Sequence, residues 1–177
     1  KDVYCEKPLT YNVNEAVQLV KEVRKSGRVF QVGSQQRSSK EFRIACELVR
    51  NGVIGRVNSV HVSFGDPAKA YNMPTEEIEP GLDWKMWCGP KGERPFDPLI
   101  YHRWRRYKDF STGIIGDLLV HEMTPLMYAL DADYPVRVHC AGSHMIDLDM
   151  ENHDQILITA VFPDGHTMIV AGNTNNE

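Results

Sequence analysis

The chain has 177 residues, 42 % of them hydrophobic and 25 % charged, with a formal net charge of −4. Those proportions are ordinary for a globular protein and allow one sizeable core, or one domain plus part of another. The acidic balance gives no electrostatic footprint for nucleic acid or an anionic membrane, and no apolar run approaches the roughly 18 residues a membrane span needs. The four cysteines, Cys5, Cys46, Cys88 and Cys140, are scattered and form no C-x-x-C pair. They read as reduced thiols, which points to a cytoplasmic location.

The first residues, 2–5, read as a short buried strand running into Glu6-Lys7-Pro8. Val13, Ala16, Val17 and Val20 then recur at helical spacing, Asn12 and Glu15 form a capping box, and Gly27 supplies the stop. A second apolar strand over 29–33 completes a βαβ unit, which is normally parallel. A helix follows over 40–51, with an apolar face expected on Phe42, Ala45, Leu48 and Val49. From 57 onward Val60, Val62 and Phe64 alternate with Ser59, His61 and Ser63, the pattern of a strand with two unlike faces. Residues 65–111 read as a long irregular excursion that Trp84, Trp87 and Trp104 should pack rather than leave disordered. A helix over 115–130, a strand over 136–141 and a hairpin around Pro163-Asp164-Gly165 follow. The expected architecture is an α/β front, residues 1–36, and an α+β domain with an open, mainly antiparallel sheet, residues 37–177. The chain stops just after the second hairpin strand, which reads as a cut.

Chemistry concentrates at two places. Lys7 follows a strand, and in open parallel sheets ligands lie at the carboxyl ends of the strands. A lysine in a dry crevice can polarise a hydroxyl or carbonyl, while the competing reading is a surface lysine beside a turn proline. In the later helix Leu119, Met123, Leu126, Met127 and Leu130 form an apolar stripe, and Asp117, His121, Thr124 and Tyr128 form a polar one. A carboxylate one turn before a histidine can orient the ring for proton transfer, although a solvated Asp–His face would look the same. Pro125 cannot donate to the His121 carbonyl, so that carbonyl needs another partner and the helix is expected to kink. The run Tyr101-His102-Arg103-Trp104-Arg105-Arg106-Tyr107-Lys108 is too short and isolated for a nucleic-acid patch. Packing and ion pairing account for most of it, with one or two members expected to reach a substrate.

No metal is expected. His121-Glu122 begins H-E-x-x-H, but Pro125 stands where the second histidine belongs. Asp147, Asp149 and Glu151 begin a calcium loop whose glycine and closing glutamate are replaced by Asn152 and Ile158. Neither G-x-G-x-x-G nor G-x-x-x-x-G-K-[ST] occurs, so there is no self-contained phosphate cradle.

Cys5-Glu6-Lys7-Pro8-Leu9, Val32-Gly33 with Arg37, Asn51-Gly52-x-x-Gly55-Arg56-Val57, Trp84-x-x-Trp87-x-Gly89-Pro90 and Gly116-Asp117-x-x-x-His121 together resemble the Gfo/Idh/MocA family of NAD(P)-dependent oxidoreductases. The likeness runs over nearly the whole chain. It implies that residues 1–36 are the later part of a Rossmann domain whose glycine fingerprint lies upstream, so that this chain alone would be inactive. It implies NAD or NADP as cofactor, a sugar, cyclitol or related polyol as substrate, and a homo-dimer or tetramer formed through the open sheet. By the same resemblance Lys7 is the active-site lysine beside the nicotinamide, His121 the proton-transferring histidine and Asp117 the accompanying aspartate. Glu6 and Pro8 line the nicotinamide pocket, and Arg37 lies near the substrate. Where many members read H-x-x-D, this chain has Thr124 followed by Pro125, so substrate contacts there are expected to differ. Two alternatives remain: NAD-dependent glycoside cleavage through transient oxidation, and a non-catalytic assembly module.

Overall fold

The computed structural model describes residues 1–65 and 76–173. The front is a βαβ unit: β1 (Val3–Glu6), α1 (Val13–Ser26) and β2 (Phe30–Gly33), with the strands parallel from Val3 opposite Phe30 to Glu6 opposite Gly33. Asn12 starts α1 by accepting from the Glu15 amide at 3.0 Å, while the Glu15 carboxylate takes the Tyr11 amide at 2.9 Å. Gly27 ends the helix in the left-handed region at φ +62°, where a side chain would be strained. The expectation of a buried first strand is corrected. Val3 and Tyr4 are exposed, and no residue of α1 is buried. A two-stranded sheet beside one helix has too little surface to cover both of its faces.

A 3₁₀ turn (Gln35–Ser38) leads into α2 (Lys40–Arg50), capped by the Ser39 hydroxyl and closed at Asn51. Its buried residue is Cys46, flanked by half-buried Phe42 and Val49, whereas Ala45 and Leu48 face outward. The expected face was therefore one step off. The 42/46/49 stripe is the one that meets α5 (Val120–Leu130), where the Cys46 thiol donates to the Pro125 carbonyl.

The second sheet contains β3 (Ser59–Gly65), β4 (Arg137–Ser143), β5 (Gln155–Val161) and β6 (Thr167–Asn173) in the order β3-β6-β5-β4. The β5–β6 and β4–β5 pairs are antiparallel but β3 runs parallel to β6, so the sheet is mixed. A strand that enters after α2 and leaves through a long excursion is free of the hairpin constraint that makes β5 and β6 antiparallel. Pro163-Asp164-Gly165 makes the expected turn: Gly165 has φ +92°, and Phe162 and His166 are bonded across it at 3.0 Å.

The π turn Ile115–Leu119 and α5 lie on one face of this sheet. Leu119, Ala160, Phe162, Met168 and Val170 form the core, with Val60, Val62, Phe64, Met123, Leu126 and Met127 packed around it. Burying each large side chain contributes roughly 1.5–3 kcal/mol. Gly172 is required here, because any Cβ would collide with the Phe64 ring on the adjacent strand. Residues 66–75 of the expected excursion lie outside the described residues; its described part, 76–111, contains α3 (Trp84–Cys88) and α4 (Pro98–His102) and is not wholly irregular. Trp84 and Trp87 stack at 4.6 Å, and Phe96, Tyr101 and Phe110 close around them. No helix among the described residues is long and apolar enough to cross a membrane.

Candidate active site

Lys7 leaves the carboxyl end of β1 through a cis peptide to Pro8 and reaches across the molecule to Asp117. Its Nζ donates to the Asp117 carboxylate at 2.7 Å and to the Asp117 backbone carbonyl at 2.5 Å. An ammonium has three donors, so one remains for a bound oxygen. The Lys7 side chain is only 15 % exposed and that of Asp117 only 8 %. Such a pair, drawn from positions 110 residues apart, is the first sign of a built site.

Asp117 sits in the π turn rather than in the α-helix expected at this point. Gly116 permits the turn, since a Cβ there would strike the Thr112 hydroxyl. Widened turns of this kind often mark functional positions. The second carboxylate oxygen of Asp117 accepts from Arg105 Nε. Burial alone would raise the Asp117 pKa, but the hydrogen bonds and charges of Arg105 and Lys7 outweigh it and hold the pKa below the ordinary value. Asp117 is therefore ionised at neutral pH, with both oxygens engaged by cations.

Those cations change the role expected for Asp117. The two charged donors take its oxygens, and the His121 ring has no hydrogen bond among the described residues. His121 is half-buried on the first turn of α5, immediately after the π turn that carries Asp117. Its backbone carbonyl, which Pro125 cannot serve, accepts instead from the Thr124 hydroxyl at 3.3 Å. The helix runs on through Pro125 to Leu130.

Glu6 and Pro8 flank Lys7 at the strand end, and both are exposed. The Glu6 carboxylate lies over Gly33 on the neighbouring strand, occupying space that any Cβ at that position would fill. Arg37 is placed differently. Its guanidinium stacks at 5.0 Å on Tyr128, beside an open depression lined by Thr124, Met127 and Asp133, and makes no bond to Lys7 or Asp117. Arg105 was legible only as one member of the basic-aromatic run. Its backbone carbonyl is held by the buried Asn152 amide at 2.9 Å, and the same amide reaches the Ser111 carbonyl at 3.2 Å. Its side chain stacks at 4.2 Å on Trp104. No group of three or more metal-ligating side chains occurs among the described residues.

The profile of the "Oxidoreductase family, C-terminal alpha/beta domain" (GFO_IDH_MocA_C2) matches residues 47–177. Myo-inositol 2-dehydrogenase of Thermotoga maritima is 32 % identical over 83 % of this chain and 34 % of that protein. The 2,7-anhydro-N-acetylneuraminate hydratase of Escherichia coli is 33 % identical over 93 % of this chain and 37 % of that protein. Among solved structures, an inositol dehydrogenase homolog of Azotobacter vinelandii, crystallised with NADH and myo-inositol, superimposes with a TM-score of 0.72. It is 18 % identical, and the alignment covers 99 % of this chain and 38 % of that one. The chain thus spans 34 to 41 % of the length of the curated relatives it matches. With the family profile covering most of the chain and the Lys7–Asp117 pair joining its two motifs, the chain belongs to the Gfo/Idh/MocA family of oxidoreductases.

Proposed function

We propose that the full-length protein carrying this chain is an NAD(P)-dependent dehydrogenase acting on a CH–OH group of a sugar, cyclitol or related polyol. The observation that carries this reading is the Lys7–Asp117 ion pair, which joins a strand end of the front unit to the π turn just ahead of His121. Residues 1–36 belong, in this reading, to a dinucleotide-binding domain and residues 37–177 to a substrate domain whose open sheet joins copies into a dimer or tetramer.

The fit to a nicotinamide rests on the front unit. A parallel β1–β2 pair presents Glu6, Lys7 and Pro8 at its carboxyl edge, where nucleotides bind in such sheets. Glycine at 33 keeps that edge open for the Glu6 carboxylate. When bound, the cofactor supplies a hydride acceptor. Lys7, oriented by two bonds to Asp117, donates a hydrogen bond from its remaining N–H to the substrate oxygen and stabilises the charge that develops there, keeping its own proton. His121 takes the hydroxyl proton as general base. Asp117, kept ionised by Arg105 and Lys7, holds the lysine ammonium in place and compensates its charge.

The test is His121→Asn in the full-length enzyme, assayed with NAD⁺ or NADP⁺ against myo-inositol and aldoses. Loss of a general base should lower kcat by about a hundredfold or more and remove the near-neutral limb of the pH–rate profile. A variant that keeps both rate and limb overturns the assignment. Gain or loss of water without net cofactor reduction would move the reaction toward the hydratase side of the relatives.

A further inference from the structure

We infer that the substrate is an acidic sugar, and that Arg105 binds its carboxylate. The inference rests on the proposed site and narrows its substrate class. Two cations share one carboxylate there: Lys7 holds one oxygen of Asp117 and Arg105 the other. Arg106, by contrast, has Asp147 to itself. Lys91 and Arg94 also share one carboxylate, that of Asp109, but its side chain is 46 % exposed to solvent whereas that of Asp117 is 8 % exposed. The Lys7–Asp117–Arg105 group therefore carries one positive charge that no described residue balances.

Arg105 is also built to present that charge. Only its Nε is engaged by Asp117, and among the described residues the outer Nη1 and Nη2 groups have no hydrogen-bond partner. Its side chain is 49 % exposed, whereas Lys7 and Asp117 are nearly covered, so the guanidinium opens onto solvent from the buried pair. Stacking on Trp104 fixes the plane, and the Asn152 amide fixes the backbone beneath it. A planar guanidinium with a free outer edge accepts a carboxylate through two parallel bonds. Lys7 and Arg105 occupy different oxygens of Asp117, so the reacting hydroxyl and the carboxylate have separate donors. The excess is a single charge, which a carboxylate neutralises, whereas a phosphate monoester brings nearly two.

The test is calorimetric titration of the full-length protein, in the presence of NAD⁺ or NADH, with D-glucuronate, D-galacturonate and D-gluconate. Each is paired with its uncharged counterpart: D-glucose, D-galactose or D-glucitol. D-glucose 6-phosphate is included as a second anion. At least one acid should bind about tenfold or more tightly than its partner, the scale of a charge-assisted hydrogen bond. The preference should weaken with added salt. It should fall to near unity in Arg105→Gln and return in part in Arg105→Lys. The salt dependence of the wild type decides the matter even if a variant fails to fold. No acid preferred, a preference that is insensitive to salt or survives in Arg105→Gln, or tighter binding of the phosphate overturns the inference. Oxidation of neutral polyols without acid preference removes this inference and leaves the dehydrogenase reading. An Arg105-dependent acid preference without cofactor reduction does the reverse.

Discussion

The β1–α1–β2 unit and the β3–β6 sheet with α5 are written in similar apolar residues, yet only the second buries them. Phe162, Met168 and Val170 are at most 2 % exposed, whereas Val13 in α1 is 78 % exposed and the helix has no buried residue at all. Periodicity marks which face of an element is apolar; only a facing layer turns that face into a core. The sheet has α5 and the π turn on its inner side. The front unit has no such layer among the described residues, and its stripe of Val13, Val17 and Val20 stands ready for one. In the proposed reading that layer is the rest of a dinucleotide-binding domain.

Phe162→Ala should break the comparison most severely. Emptying a fully buried aromatic site costs about 3–5 kcal/mol, whereas Val13→Ala in this chain should stay within about 0.5 kcal/mol. Urea denaturation of both variants measures the contrast. In the full-length protein Val13→Ala should become clearly destabilising if the stripe is covered there, and an unchanged small effect would mean that the stripe packs against nothing.

A second expectation concerns the link between the two units. The pKa of Asp117 is held below its ordinary value of 3.8, so its ionised form stabilises the folded chain at all higher pH. That contribution is lost as pH falls from about 4 through the lower folded pKa. The stability difference between wild type and Asp117→Asn should therefore be constant near neutrality and shrink below about pH 4. A difference that persists at low pH would show that the carboxylate matters for packing rather than charge.

The smallest expected effect lies inside α5. Thr124→Val removes the hydroxyl that serves the His121 carbonyl and should cost about 1 kcal/mol. The double variant Thr124→Val with Pro125→Ala restores a backbone donor at 125 and should recover part of that loss. Thermal melts of the single and double variants check both statements.

Local chemistry was the legible part of the sequence. Asn12, Gly27 and Pro163-Asp164-Gly165 each punctuate the chain through their own backbone preferences, and all act where expected. The need for a second partner at the His121 carbonyl also followed from one residue, Pro125. What could not be read was set by contacts across long separations. Nothing near Arg105 in the sequence points to Asp117, and nothing near 115–119 announces a π turn, which depends on Gly116 fitting against Thr112. The parallel β3–β6 pairing has the same origin, because alternation reveals a strand but not its partner. The buried first strand was misjudged for a related reason: apolar residues state what an element can cover, not whether anything covers it.

The Lys7–Asp117 bond has a consequence for the order in which the molecule assembles. Its two ends are separated by 110 residues, while the β5–β6 hairpin closes over a five-residue connection between Val161 and Thr167. Chain closure over the longer span costs more entropy, and local contacts form first. The hairpin, and α5 laid upon it, can thus form before the lysine finds its carboxylate. An interaction made late contributes little to the rate of folding and much to the rate of coming apart. The site is consequently a latch on a scaffold that has already closed, so evolution can alter its cations and their reach without disturbing the steps by which the scaffold is made.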